Sequence, residues 1–337
     1  MESILLLAHT ESDGTLGKPA LEALTAALAL GGEVTAGLVG GQVDAAAGQA
    51  AGAGVARTLA VAGEPFAESR YATDAAAAEA ICRAAGAALV VAPDTSRWAR
   101  ALPGVAYRLG GRVDTHVTNL TVDQGGLAVT RWFYRQRMEG LLTRAQRPWF
   151  VLLDSGCWAP WSGPSAAANM EMVEVAAPAT RTTVTGIEAP KADEQTIRPD
   201  AKLLFVAGAG WTKKQSDGAV HVAEAQSLIL GFLRAAQASL GGSKSLVDLS
   251  GEGEAVLPFM THLNQIGQTG ATPRHPKGLS TCCHGEEPHV VGWRFITERR
   301  AINLDANCGW ARGKADVVYV ADAFAVMREL NRLLGSA

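Results

Sequence analysis

What the 337 residues lack narrows the field first. No run approaches the roughly 18 consecutive apolar residues of a membrane span, although 48% of the chain is hydrophobic. Lys and Arg total 30 against 33 Asp and Glu, a formal net charge of -3, and the cations are scattered rather than clustered. The electrostatic footprint of a nucleic-acid binder is therefore missing. Cysteine is scarce: Cys82, Cys157, Cys282, Cys283 and Cys308 are an odd set with no C-x-x-C spacing. That pattern argues against a secreted disulfide framework. Cys282-Cys283-His284, with His275 and Cys308 elsewhere in the same region, has the wrong spacing to chelate one ion, so no metal is expected. Met1-Glu2-Ser3 leads into apolar residues without a charged leader. With reduced thiols as the default, this sets the expectation of a cytoplasmic protein.

What is present is an alternation. Apolar runs at 4–8, 34–39, 58–61, 89–92 and 150–153 are separated, over the first three intervals, by Ala-rich stretches of helical character. This is a parallel-sheet pattern. Residues 16–30 repeat apolar side chains at helical spacing, and 73–87 do so behind Thr73 or Asp74 as a cap. From Thr115 the texture becomes alternating, and Gln124-Gly125-Gly126 predicts the turn of a hairpin between 119–122 and 127–132. The first domain, 1–181, is expected to be α/β with a β appendage. Residues 182–200 are polar and hold Pro190 and Pro199, as a linker would. In 201–337 a strand at 203–207 runs into Gly208-Ala209-Gly210 and a helix at 223–240. A strand at 317–320 and a helix from Ala323 close the chain. That order predicts a doubly wound sheet whose ligand crevice lies beyond the carboxyl ends of its strands.

Gly208-Ala209-Gly210 lets the backbone approach a phosphate, with the N–H groups of the next helix pointing at the charge. Lys213 stands where the dinucleotide fingerprint has its third glycine, so a tight turn without a ligand stays equally open. Glu286 and Glu287 read as a solvated helix start rather than a paired-carboxylate site. The run Arg131-Trp132-Phe133-Tyr134-Arg135-Gln136-Arg137 suits either a nucleotide groove or a strand facing a partner. Trp158 and Trp161, around Pro160, fit an interface or a core hinge alike.

Taken in order, Ile266-Gly267-Gln268-Thr269-Gly270, then His284-Gly285, His289, Ile302-Asn303-Leu304-Asp305 and Ala315-Asp316 resemble the C-terminal half of electron-transfer flavoprotein alpha subunits. There a Gly-Gln-Thr-Gly turn precedes a strand, a Ser-Gly turn, a Gln-His pair, Ile-Asn-Lys-Asp and Ala-Asp. Leu21-Glu22-Ala23-Leu24-Thr25-Ala26-Ala27 and Ala92-Pro93-Asp94-Thr95-Ser96 are similar to N-terminal family segments, so the likeness covers nearly the whole chain. It implies an N-terminal α/β nucleotide-hydrolase-like domain with its β appendage and a C-terminal doubly wound parallel-sheet FAD domain.

The resemblance also implies a set of FAD-binding residues: Gly210, Ser243, Lys244, Gln268, Thr269, Gly270, His284, Gly285, His289, Asn303 and Asp316. Gln268 and Thr269 would lie beside the isoalloxazine, with the Thr269 hydroxyl near N5. Lys244 and His289 would stabilise negative charge on the reduced ring, and Asn303 and Asp316 would hold the adenylate half. Departures stand at Ala209 and Lys244, where the family has Arg, at His284 for its Ser and at Pro288 for its Gln. Lys keeps the charge of Arg but not its planar fork. The segment 248–266 is also longer than the family's. The implied partners are a beta subunit carrying AMP, a donor dehydrogenase and a downstream acceptor, with this chain a carrier rather than a substrate-converting enzyme. Two other readings are an NAD(P)-linked dehydrogenase built on Gly208-Ala209-Gly210, which lacks an acid–base cluster, and a structural subunit that has lost its FAD.

Overall fold

The computed structural model describes residues 2–123, 126–134, 138–186, 197–198, 201–248, 255–267, 271, 273–281 and 296–335. Two compact units divide the chain, Met1–Glu188 and Ala189–Ala337.

The first unit is built on strands that are apolar end to end. β1 (Ile4–His9), β2 (Val34–Gly40), β3 (Arg57–Ala62), β4 (Leu89–Pro93) and β8 (Trp149–Leu153) are buried along almost their whole length. Such continuous runs are what a sheet covered on both faces requires. With β5 (Arg112–Asp123), β6 (Gly126–Phe133), β7 (Met138–Leu142) and β9 (Met170–Met172) they form one nine-stranded sheet, ordered β7-β6-β5-β8-β4-β1-β2-β3-β9. From β9 to β5 every pairing is parallel, and β5, β6 and β7 pair antiparallel as the appendage.

Alternate residues of β1 feed the two cores. Leu6 and Ala8 join α1 (Lys18–Ala29) and α2 (Asp44–Gly52), while Leu5 and Leu7 join α4 (Tyr71–Ala85) and α5 (Ser96–Arg108), with the short α3 (Glu64–Ala67) beside them. Small residues let the layers close: a Cβ on Gly37 would stand 2.5 Å from the Ile81 side chain. The helix expected behind Thr73 or Asp74 begins earlier, at Tyr71, with Arg70 at its N-cap and no side-chain cap bond. Asp74 is spent elsewhere, in an ion pair with the buried Arg97 at 2.7 Å. Trp158 and Trp161 pack, half-buried, against the first core.

The second unit carries a five-stranded sheet ordered β11-β10-β12-β13-β14, parallel throughout. Its strands are β10 (Leu203–Ala207), β11 (Ser239–Gly242), β12 (Lys277–Thr281), β13 (Glu298–Asn303) and β14 (Val317–Val320). α6 (Val222–Ala236) and α9 (Ala323–Leu334) cover one face through Phe232, Leu233, Phe324 and Met327. On the other face Leu204, Val206, Ile266, Cys308 and Ala311 form a smaller core, Cys308 standing at the N-cap of α8 (Gly309–Lys314).

The helix expected over 223–240 is two elements. Gln237 adopts a left-handed conformation, φ 50°, which ends α6 and frees Ser239–Gly242 to enter the sheet as β11. The Gly208-Ala209-Gly210 turn also does not open onto a long helix. It tightens into a buried 3-10 turn, Ala209–Thr212, and α6 starts only at Val222.

Candidate functional site

β10 pairs with β11 on one side and with β12 on the other, so the winding of the second sheet reverses between β10 and β12. In an open α/β sheet the crevice outside the carboxyl ends of the strands at such a point is where ligands bind.

The residues that follow those carboxyl ends are drawn together by backbone bonds. Gly208 N donates to Thr281 O at 2.9 Å, Ser243 N to Ala207 O at 3.1 Å, and Ile266 N to Gly242 O at 3.1 Å. These three bonds set the first Gly turn, the start of α7 (Lys244–Asp248) and the lead into the Gly267 turn side by side. Gly267 has φ 117°, a conformation that favours glycine, and its N–H donates to Ala271 O at 2.8 Å.

Each side chain here has a local reason for its place. Ser243 is buried, and its Oγ accepts from Leu246 N at 3.3 Å, satisfying the first turn of α7, while Lys244 is exposed beside it. Asn303 ends β13 with 2% of its surface exposed. Its Oδ1 accepts from Asp305 N at 2.9 Å, and its Nδ2 has no hydrogen-bond partner among the described residues. A buried donor left unmatched costs roughly 1–3 kcal/mol, so an amide held this way is poised for an acceptor. Trp211, fully buried in the 3-10 turn, donates its indole N–H to Thr281 Oγ1 at 2.8 Å.

Of the residues implied by the resemblance, Gly210, Ser243, Lys244 and Asn303 therefore gather at one end of the sheet. Asp316 does not join them. It immediately precedes β14, at the opposite, amino end, where it accepts from Arg299 N at 2.6 Å and from the Arg299 guanidinium at 2.9 Å. Those bonds hold its carboxyl below the usual range. Gln268, Thr269, Gly270, His284, Gly285 and His289 lie outside the described residues, as do Cys282, Cys283, Glu286 and Glu287. His275 is buried, with Nε2 2.8 Å from Arg198 O.

Sequence reasoning missed Asp322. It follows β14 at the carboxyl end, and its Oδ1 accepts from Ala325 N at 2.7 Å to cap α9. The signal was there, since Ala315-Asp316 recurs as Ala321-Asp322, but only the strand direction tells the two apart.

The first unit has a polar group of its own at the carboxyl end of its sheet, also unforeseen. His116, in a left-handed conformation at an irregularity of β5, donates its backbone N–H to Asp94 Oδ2 at 2.7 Å. Its Nδ1 lies 3.2 Å from both Asp94 and Asp154. The bond to Asp154 raises the imidazole pKa, with the Asp94 charge adding to the effect. At the end of β1, His9 Nε2 stands 3.2 Å from Thr95 Oγ1. Burial, then the nearby Arg97 charge, lowers its pKa to about 4. Arg131, from the mixed aromatic and basic run, pairs with Asp114 at 3.2 Å and lies 4.6 Å from the Phe133 ring.

Two sheets, parallel but for the antiparallel appendage of the first, each with polar residues collected at the carboxyl ends of its strands, define an α/β protein. The model of the electron transfer flavoprotein domain matches residues 4–180, and the chain belongs to that family. Within it the chain is an electron carrier of the alpha type. It is 26% identical over 261 residues to Protein FixB of Salmonella paratyphi A, of Salmonella agona and of Salmonella typhi, covering 77% of this chain and 78% of each relative.

Proposed function

We propose that this carrier holds FAD in the crevice of its second unit and works as one half of a two-subunit electron-transfer flavoprotein in the cytoplasm. The observation that supports the cofactor most is the buried, unmatched Nδ2 of Asn303 at the carboxyl end of β13. When bound, FAD would supply the electron acceptance and donation. The chain's own residues bind and orient. Asn303 would donate to the cofactor, Ser243 shapes the floor by capping α7, and Lys244 brings positive charge that disfavours loss of a reduced, negatively charged ligand.

Gly210 enters this reading by its place in the turn that follows the carboxyl end of β10. Gln268, Thr269, Gly270, His284, Gly285 and His289 enter this reading on family likeness alone. Asp316, paired with Arg299 at the far end, is left out of it, and Asp322 takes its place.

The partner in this reading is a beta subunit carrying AMP, with a dehydrogenase as donor and a further carrier or reductase as acceptor. An exposed edge supports the partner: β7 is the last strand of its sheet, and Met138, Leu141 and the neighbouring Tyr134 are all exposed.

Flavin retention tests the site. Asn303→Asp keeps the acceptor that Asp305 N needs but removes the donor, and it should lose most bound FAD on dialysis while keeping its circular dichroism. Asp316→Ala should retain FAD as the parent does. Full retention in Asn303→Asp would remove the cofactor from this crevice.

A further inference from the structure

We propose that Trp211 is the positioning residue of the crevice, its indole N–H fixing the first Gly turn against the end of β12. This rests on the reading of the crevice as a flavin site. The last paired residues of β10 and β12 are Ala207 and Thr281, and beyond them a single backbone bond, Gly208 N to Thr281 O at 2.9 Å, carries the ladder on. Side-chain bonds reinforce it past Gly208. Trp211 Nε1 donates to Thr281 Oγ1 at 2.8 Å, and the same hydroxyl donates to Val206 O at 3.1 Å. The hydroxyl is thus used once as acceptor and once as donor, and both residues are fully buried.

The indole is itself held. Its ring lies 4.6 Å from that of Phe324, tilted by 54°, which ties it to the first turn of α9. One side chain therefore joins the carboxyl ends of β10 and β12 to the helix that follows β14. Gln215 Nε2 to Gly210 O at 3.0 Å and Thr212 Oγ1 to Ala209 O at 3.1 Å complete the turn. No long helix follows Gly210 directly to hold this turn in place, so these side-chain bonds share that duty with the backbone bond from Gly208 N to Thr281 O. A phosphate seated on Gly208-Ala209-Gly210 and a group seated beyond β12 would both feel a change in the Trp211–Thr281 distance.

The test uses the full chain, stripped of flavin and titrated with FAD, in Trp211→Phe, Thr281→Val, the double variant and Thr281→Ser. Trp211→Phe keeps the ring on Phe324 and drops the donor. Thr281→Val keeps the shape and drops both the acceptor for Trp211 and the donor to Val206 O, so it should be the worse of the two single variants. Each should weaken FAD binding about three- to tenfold, the worth of a net hydrogen bond. The double should be no weaker than Thr281→Val, because the one bond that Trp211→Phe removes is already lost there, and Thr281→Ser should bind as the parent does. Hydrogen exchange of the Gly208 amide, read without flavin, should quicken in both single variants and not in Thr281→Ser. Unchanged affinity with unchanged exchange overturns the proposal. So do losses that add in the double variant, the mark of two separate packing roles. If the parent chain binds no FAD even with a beta subunit present, the flavin reading falls and the Gly208 exchange alone decides whether Trp211 positions the turn.

Discussion

His9 carries the clearest acid–base consequence of the fold. Enclosed near Trp98 and facing Arg97, its imidazole has a pKa lowered to about 4 from an ordinary 6.5. Between those values the unfolded chain binds a proton that the folded chain refuses. Stability from His9 is therefore present in full above pH 6.5 and is lost as the pH falls toward 4, by about 3 kcal/mol in all. His116 works in the opposite sense, since its raised pKa contributes most below its unfolded value and fades as the pH rises through the folded one. Comparing variants isolates the first effect: in urea unfolding, His9→Gln should lose less stability than the parent between pH 7 and pH 4.5, and equal slopes would contradict the burial argument. Single residues were also where the sequence was least decisive about the site. Asn303 could be placed because Ile302-Asn303-Leu304-Asp305 resembles the family's Ile-Asn-Lys-Asp stretch. The acidic residue could not, because two Ala-Asp pairs flank the same strand and a string of letters has no carboxyl end in space.

Elements were legible where burial and spacing agreed. Strands of the first unit were readable as apolar runs, and 119–132 as a hairpin, because a parallel core strand and an alternating antiparallel one leave different patterns. The misreading of 223–240 has a physical cause: β11 is buried, so Ala238 and Leu240 continue the apolar texture of α6, and only the backbone of Gln237 breaks it. Gln237 in the left-handed region pays a steric cost that glycine avoids, so Gln237→Gly should raise stability by about 0.5–1 kcal/mol, less whatever its bond to Arg234 O contributes. A fall in midpoint without a change in denaturant slope would show that bond to matter more. Asp74, read as a cap, instead staples α4 to α5 through Arg97, whose guanidinium also donates to Phe66 O and Ala67 O. Burial raises the Asp74 pKa against the pull of Arg97. Asp74→Ala would leave Arg97 buried without its counter-charge and should cost about 3–5 kcal/mol, the loss seen when one partner of a buried pair is removed; thermal unfolding measures it.

At the scale of the whole molecule, the two units have separate sheets and separate cores, and no core cluster among the described residues draws on both. Cooperative unfolding follows the core, so calorimetry of the full chain should resolve two transitions rather than one. They can be assigned by variants already argued: Asp74→Ala should lower one and leave the other in place. A ligand that binds only one folded unit stabilises that unit by mass action, about 2.7 kcal/mol at a hundredfold excess over the dissociation constant. FAD should therefore raise the transition that Asp74→Ala leaves unmoved, and Asn303→Asp should abolish the rise. A single transition shifted as a whole by FAD would mean that the units unfold together despite their separate cores. A rise confined to the transition that responds to Asp74→Ala would move the cofactor to the carboxyl end of the first sheet, where His9, Asp94, His116 and Asp154 are the polar residues in place to meet it.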